Sequence, residues 1–421
     1  MSDSYRASLD YLYSLQLFGI KLGLENTRRL LARIDNPQRR LRIVHIAGTN
    51  GKGSTAAALA NIFQAAGISA GLYTSPHLHS FTERIRVDTR QISEAEVVAL
   101  IDELRPHAEE LRTTFFEFTT AMALLHFQRS GVEWVVLETG LGGRLDATSV
   151  VDPELCLITP IALDHMAHLG DTLAAVAAEK AGIFKPKVPV ISARQSPEVV
   201  AVLRQRAEEL NAPLLWAGQD YCWRDDTGLL SFTGLGLELE RLTPGLLGVH
   251  QQQNLALALA AATYLKLPVN ALTQGVKQVR WPGRLEWLPQ QILLDGAHNV
   301  AGAKVLADYL RLQGLAPLHL VIGIKADKQG EELLQELLPF VGRLYATRPP
   351  VDAAIAPEKL VQQAQKSGIL AAEYADPQAA LTAALQSRQA GEPLLVAGSL
   401  FLIAAIRELL LPDHQLLSIS A

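Results

Sequence analysis

Gly48-Thr49-Asn50-Gly51-Lys52-Gly53-Ser54 places three glycines, a lysine and two hydroxyls between a β-branched run, Ile43-Val44-His45-Ile46, and an alanine-leucine stretch, Ala56-Ala57-Ala58-Leu59. Glycines let such a loop wrap backbone N–H groups around phosphate oxygens without Cβ clashes. The lysine neutralises the outer phosphates, and the start of the following helix adds partial positive charge. The chemistry indicated is the binding of a nucleotide triphosphate, with Lys52 as the first catalytic residue. The Walker A form needs glycine six residues before the lysine and Ser or Thr directly after it. Those positions hold Ile46 and Gly53, and the hydroxyl is displaced to Ser54. A plain glycine-rich strand-to-helix turn is the blander alternative, but strand, loop, lysine and helix occur in the order a phosphate loop requires.

A second candidate is Glu138, the carboxylate that ends the apolar run Trp134-Val135-Val136-Leu137. Ligands of α/β proteins bind at the carboxyl ends of parallel strands. A carboxylate placed there beside a phosphate loop can reach Mg²⁺, which prefers oxygen ligands and bridges phosphates. The glycines of Thr139-Gly140-Leu141-Gly142-Gly143-Arg144-Leu145 fail the dinucleotide fingerprint, because Leu145 stands where Gly or Ala is needed. That counts against a nicotinamide oxidoreductase.

Positioning these residues calls for alternating strands and helices, the pattern of an α/β fold with mainly parallel sheet. Strands are expected near Arg42 to Ile46, Trp134 to Leu137, Leu155 to Thr159 and Val188 to Ser192, with helices over Glu94 to Leu111, Thr119 to Phe127 and Glu198 to Leu210. Tyr221 to Leu242 reads as a small antiparallel excursion and Asn254 to Leu265 as a helix. Trp281-Pro282-Gly283-Arg284 is the expected linker, giving domains at 1–283 and 284–421. The second should carry strands Gln291 to Leu294, Leu318 to Ile322, Leu344 to Ala346 and Leu394 to Val396. Its helices are expected over Val300 to Gln313, Glu331 to Phe340, Pro357 to Ser367 and Leu400 to Leu410.

At 421 residues the chain exceeds the size at which a single core usually keeps growing, and 49% hydrophobic residues supply ample core. The net charge of -5, without a long basic run, argues against a nucleic-acid partner. No segment reads as a secretory signal or bilayer span, so a cytoplasmic protein free of membrane is expected. Cys156 and Cys222 read as reduced thiols.

The shortened loop resembles that of the Mur ligase superfamily, and its last four residues resemble the folylpolyglutamate synthase branch. Glu138-x-x-Leu141-Gly142-Gly143-Arg144-Leu145-Asp146-Ala147-Thr148 is similar to folylpolyglutamate synthase and dihydrofolate synthase, with Ser149 in place of the usual asparagine. In order along the chain, the resemblance also takes in Phe18 to Leu24, Thr74-Ser75-Pro76-His77-Leu78, Glu83-Arg84-Ile85 and Thr114-Phe115-Phe116-Glu117-Phe118-Thr119. It continues through Leu163-Asp164-His165, Glu179-Lys180-Ala181-Gly182-Ile183, Asn254, Pro282-Gly283-Arg284, Leu294 to Asn299, and Ala397-Gly398-Ser399-Leu400.

The resemblance implies an N-terminal Mur-ligase-like P-loop domain and a smaller, Rossmann-like C-terminal α/β domain that binds glutamate and closes on ATP. Gly48 to Ser54, Asn254, Arg284 and Asp295 would hold ATP. Ser75, Glu138 and His165 would ligate Mg²⁺, with His165 also catalytic, and Lys180 would be a carbamylated catalytic lysine. Thr114, Phe115, Phe116, Glu117, Leu145, Asp146 and Ala147 would meet the pterin, and His298 and Ser399 the glutamate. The implied reaction joins L-glutamate to dihydropteroate and to the tail of reduced folates through an acyl phosphate, in a monomer. A folylpolyglutamate synthase alone, a Mur-type peptidoglycan ligase and a non-enzymatic ATP-binding regulator stand as alternatives.

Overall fold

The computed structural model describes residues 2–19 and 23–412; Ile20, Lys21 and Leu22, within the Phe18 to Leu24 motif, lie outside the described residues. The chain folds as two units, each with its own sheet. The first comprises Met1–Ala162, Leu169–Gly245 and Gln251–Val279; the second comprises Leu163–His168, Leu246–His250 and Arg280–Ala421.

In the first unit β1 (Arg42–Ala47), β2 (Ala70–Tyr73), β3 (Ile85–Val87), β4 (Arg90–Gln91), β5 (Trp134–Glu138), β6 (Leu155–Ile158), β7 (Val190–Ser192) and β8 (Leu214–Trp216) form one sheet. Its order is β4-β3-β2-β5-β1-β6-β7-β8, parallel except at β3 and β4. Ile43, Val44, His45, Ile46 and Ala47 are all fully buried, as befits a central parallel strand covered on both faces. β1 lies between β5 and β6, with Ile46 paired to Glu138 and Ala47 to Ile158, so three strand ends meet at the Gly48 loop.

The antiparallel excursion is three strands, β9 (Tyr221–Asp226), β10 (Leu229–Gly234) and β11 (Leu237–Leu242). The following helix begins at Val249 rather than Asn254, because Gln251 and Gln252 are buried and belong to it. Another helix runs from Phe115 to Ser130, earlier than the apolar pattern indicated: Thr114 is its N-cap and Glu117 completes a capping box.

The second unit carries β12 (Glu286–Leu288), β13 (Ile292–Leu294), β14 (Leu318–Ile322), β15 (Val341–Ala346), β16 (Leu370–Glu373) and β17 (Leu394–Ala397), in the order β12-β13-β17-β14-β15-β16. Only β12 pairs antiparallel. β13 and β17 are adjacent, so the Asp295 loop and the Gly398-Ser399 loop emerge side by side, joined by the Asp295 amide on Val396 O (3.0 Å) and the Gly398 amide on Ala297 O (3.0 Å).

Candidate active site

The loop after β1 is built by close approach. A Cβ on Gly48 (φ +147°) would lie 1.9 Å from Thr159 Oγ1, and one on Gly51 (φ +88°) would lie 2.2 Å from Asn254 Oδ1. Both positions therefore demand glycine. The amides of Thr49 and Asn50 donate to Pro160 O at 3.0 and 3.3 Å, and the Thr49 hydroxyl donates to Ala162 O at 2.9 Å, which fastens the loop to the segment after β6. Helix Lys52–Ala65 follows, with Gly51 as an N-cap that supplies no side-chain hydrogen bond. Its ladder opens with the Thr55 amide on Gly51 O at 2.9 Å, so the Lys52, Gly53 and Ser54 amides precede the first intrahelical bond. Lys52 Nζ folds back onto Gly48 O (3.1 Å) and Thr49 O (3.2 Å). Asn254 is buried above Gly51 and donates through Nδ2 to Gln251 Oε1 at 3.0 Å.

Lys180, 4% exposed, donates to Gly48 O at 2.7 Å, which places it against the same loop. The glycine run after β5 explains how. A Cβ on Gly143 would meet Glu179 O at 2.6 Å and Lys180 O at 2.8 Å, and Arg144 bonds Glu179 through its amide (2.8 Å) and its guanidinium (2.7 Å). These glycines serve close helix packing, which agrees with their failure as a dinucleotide fingerprint.

Ser75 and Glu138 come together: the Ser75 amide donates to Glu138 Oε2 at 3.2 Å, and Glu138 is buried. Among the described residues no group of three His, Cys, Asp or Glu side chains is arranged to hold a metal. A single carboxylate with a neighbouring hydroxyl fits Mg²⁺, which takes few protein ligands and fills the rest with phosphate oxygens and water, better than it fits a soft-ligand metal. His165 belongs to the second unit. There its Nε2 lies 3.4 Å from Lys328 Nζ, and burial, with a contribution from Lys328, lowers its pKa to about 4.

The expected pterin residues sit together in the first unit. Phe115 stacks on Tyr13 (centroids 6.0 Å apart), meets Phe81 edge-on and lies under the Arg84 guanidinium at 5.2 Å. Phe116 packs on Tyr73 and against Gly140. Thr114 and Glu117 are mutually bonded, with the Thr114 amide on Glu117 Oε2 at 2.7 Å and the Glu117 amide on Thr114 Oγ1 at 3.3 Å. Asp146, between Leu145 and Ala147, is buried and caps the short turn Ala147–Val150. Burial raises its pKa, opposed by the donors of Leu141, Thr148 and Gly140.

In the second unit Asp295 accepts the Leu285 and Ala297 amides, each at 2.9 Å. Gly296 lacks the Cβ that would lie 2.5 Å from Arg284 Nη1. His298 Nδ1 lies 2.9 Å from Gly296 O, and Ser399 caps helix Leu400–Leu410, accepting the Phe401 amide at 3.2 Å.

The sequence matches the Mur ligase middle domain over residues 46–262 and the Mur ligase glutamate ligase domain over residues 283–400. The chain belongs to the Mur ligase family. A dihydrofolate synthase/folylpolyglutamate synthase of Bacillus subtilis is 33% identical over 438 aligned positions, covering 97% of this chain and 99% of that protein. Among solved structures, Escherichia coli FolC in complex with DHPP and ADP superposes with TM-score 0.89 at 30% identity, covering 96% of this chain and 97% of that one. The Yersinia pestis bifunctional folylpolyglutamate synthase/dihydrofolate synthase complexed with AMPPNP and Mn ion superposes with TM-score 0.88 at 30% identity, over 97% of this chain and 99% of that one. This Mur ligase is thus an ATP-dependent, amide-bond-forming enzyme of the folylpolyglutamate and dihydrofolate synthase kind.

In the ligase's second unit, Asp164 and Lys328, to which sequence reasoning assigned no role, join His298 and His165 in one cluster. Asp164 accepts Lys328 Nζ at 2.5 Å and Asn299 Nδ2 at 3.0 Å, and lies 3.5 Å from His298 Nε2. Against the opposing effect of burial, the hydrogen bond and charge of His298, then Lys328 and His165, hold its carboxyl well below the usual range. Lys328 lies in the loop between β14 and helix Gly330–Leu337.

Proposed function

We propose that this ligase adds L-glutamate to dihydropteroate and then extends the glutamyl tail of reduced folates, consuming ATP and releasing ADP and phosphate. The supporting observation is the Gly48 to Ser54 loop. Gly48 and Gly51 are enforced by close contact, the helix start leaves three amides ahead of the first ladder bond, and Lys52 and Lys180 both lie on the loop's carbonyls.

A carboxylate is a poor acyl donor, because its charge repels an incoming amine and oxide is a poor leaving group. Moving the γ-phosphoryl onto it gives an acyl phosphate, whose carbonyl the glutamate amine attacks with expulsion of phosphate. Lys52 and the helix amides would carry the nucleotide phosphates, Asn254, Arg284 and Asp295 would contact the nucleotide, and Ser75, Glu138 and His165 would hold Mg²⁺. When bound, that ion neutralises charge on the transferring phosphoryl group. Phe115 and Phe116 supply an aromatic wall for the pterin, with Thr114, Glu117 and Leu145 to Ala147 as its polar and apolar surround. His298 and Ser399 would receive glutamate. Lys180 as a carbamate would add negative charge at Gly48; dependence of turnover on dissolved CO₂, lost in Lys180→Ala, tests that role.

Purified protein with ATP, Mg²⁺ and glutamate is offered dihydropteroate or tetrahydrofolate in parallel, with products resolved by mass. One added glutamate on the first and several on the second are expected. ADP release that ignores both pterins, or that responds instead to UDP-muramyl peptides, overturns the reading.

A further inference from the structure

His45 is a polar side chain in a fully buried stretch of β1, where an apolar residue would avoid the cost of burying imidazole nitrogens. Its Nε2 lies 2.8 Å from Thr148 Oγ1, and Thr148 Oγ1 in turn donates to Asp146 Oδ1 at 2.5 Å. Asp146 Oδ1 also accepts the Thr148 amide at 3.0 Å, and Oδ2 accepts the Leu141 amide at 2.7 Å. Every protein group on the carboxylate is therefore a donor.

A hydroxyl has one proton to give. Thr148 gives it to Asp146, so Nε2 of His45 must be the donor to Thr148. The opposite tautomer would set Nε2 competing with Asp146 for the same proton and bury an unpaired N–H at Nδ1, an atom without a hydrogen-bond partner among the described residues. Burial, reinforced by the Lys185 charge, lowers the His45 pKa to about 3, so the ring is neutral. The chain runs one way, from His45 N–H to Thr148 O–H to Asp146.

We propose that His45 is a positioning residue for the acid substrate, fixing the Thr148 hydroxyl so that Asp146 is held as an acceptor-only carboxylate for the N–H donors of a pterin ring. This rests on the reading of Asp146 as a pterin contact. The structural alternative is that His45 merely fills the core.

The full-length enzyme is assayed with dihydropteroate and ATP varied separately, in Asp146→Asn, His45→Leu, His45→Gln and Thr148→Val. Asp146→Asn is the reference and should raise the dihydropteroate KM. His45→Leu and Thr148→Val should each raise it roughly tenfold, the loss expected when one hydrogen bond to a charged group is removed. The ATP KM should stay within about twofold, and His45→Gln, which retains a donor, should recover most of the loss. If Asp146→Asn moves the dihydropteroate KM and Thr148→Val does not, the relay is overturned while the pterin reading stands; if Asp146→Asn leaves it unmoved, both fall. Imidazole ¹⁵N shifts of the wild-type protein give a check that needs no variant. They should report the proton on Nε2 of His45, and a proton on Nδ1 overturns the proposal.

Discussion

Gly51→Ala offers the sharpest test of how the phosphate loop is built. At φ +88° an alanine enters the left-handed region, at roughly 1–2 kcal/mol. Its Cβ would stand 2.2 Å from Asn254 Oδ1, 2.7 Å from Cγ and 2.8 Å from Nδ2, so the amide must move. Asn254 is buried and tied to Gln251, so moving it also costs that hydrogen bond, about 1 kcal/mol, plus about 1–3 kcal/mol of overpacking. The expected destabilisation is about 3–6 kcal/mol, accompanied by a raised KM for ATP. Asn254→Ala alone leaves Gln251 Oε1 without that donor, at about 1–3 kcal/mol. In the double variant the clash is gone and only the backbone cost is added to Asn254→Ala, so it should be about 2–4 kcal/mol more stable than the two single losses summed. Urea unfolding of the four proteins measures the cycle. Additivity to within about 0.5 kcal/mol would refute the contact as the reason for glycine.

Two further outcomes can be measured by the same unfolding assay. Thr114→Ala removes the cap of helix Phe115–Ser130 and should cost about 1 kcal/mol in urea unfolding, restored by Thr114→Ser, which keeps the hydroxyl. His45, lowered by burial to about 3 from the 6.5 of a free imidazole, takes up a proton more readily once unfolded. Its contribution is complete above about pH 6.5 and is lost as the pH falls toward 3, by about 1.4 kcal/mol per pH unit. His45→Gln should flatten the decline of stability below pH 6.5 by that slope, and an unchanged slope would mean that the ring charges freely in the fold.

The α/β architecture was legible because hydrophobic period and glycine punctuation are local signals. β1, β5 and β6 all end where the apolar runs end, and the glycines of the phosphate loop announce the turn that follows. Failures of the reading fall where a polar residue belongs to a regular element. Thr114 and Glu117 read as contacts for a ligand, yet they also form the capping box that starts their helix, so the helix begins before its apolar pattern does. Gln251 and Gln252 are buried within a helix that the apolar count starts at Asn254. Short strands such as β16, with exposed Leu370, give too weak an alternation to stand out.

The candidate site shows the same division. Single residues at strand ends, Glu138 and Asp295, could be picked out by position, but partners drawn from distant sequence could not. Nothing local joins Asp164 to Lys328, or His45 to Asp146; the second pair is made by β1 and the loop after β5, strands that the sheet order brings side by side. The glycines of Gly140 to Gly143 carry the general lesson. Their spacing invited a ligand reading, whereas their contacts with Phe116, Leu169, Glu179 and Lys180 show side chains omitted so that other elements can approach. A glycine after a strand therefore marks close approach, and only the atom that fills the missing Cβ position tells whether the neighbour is a phosphate or another part of the chain.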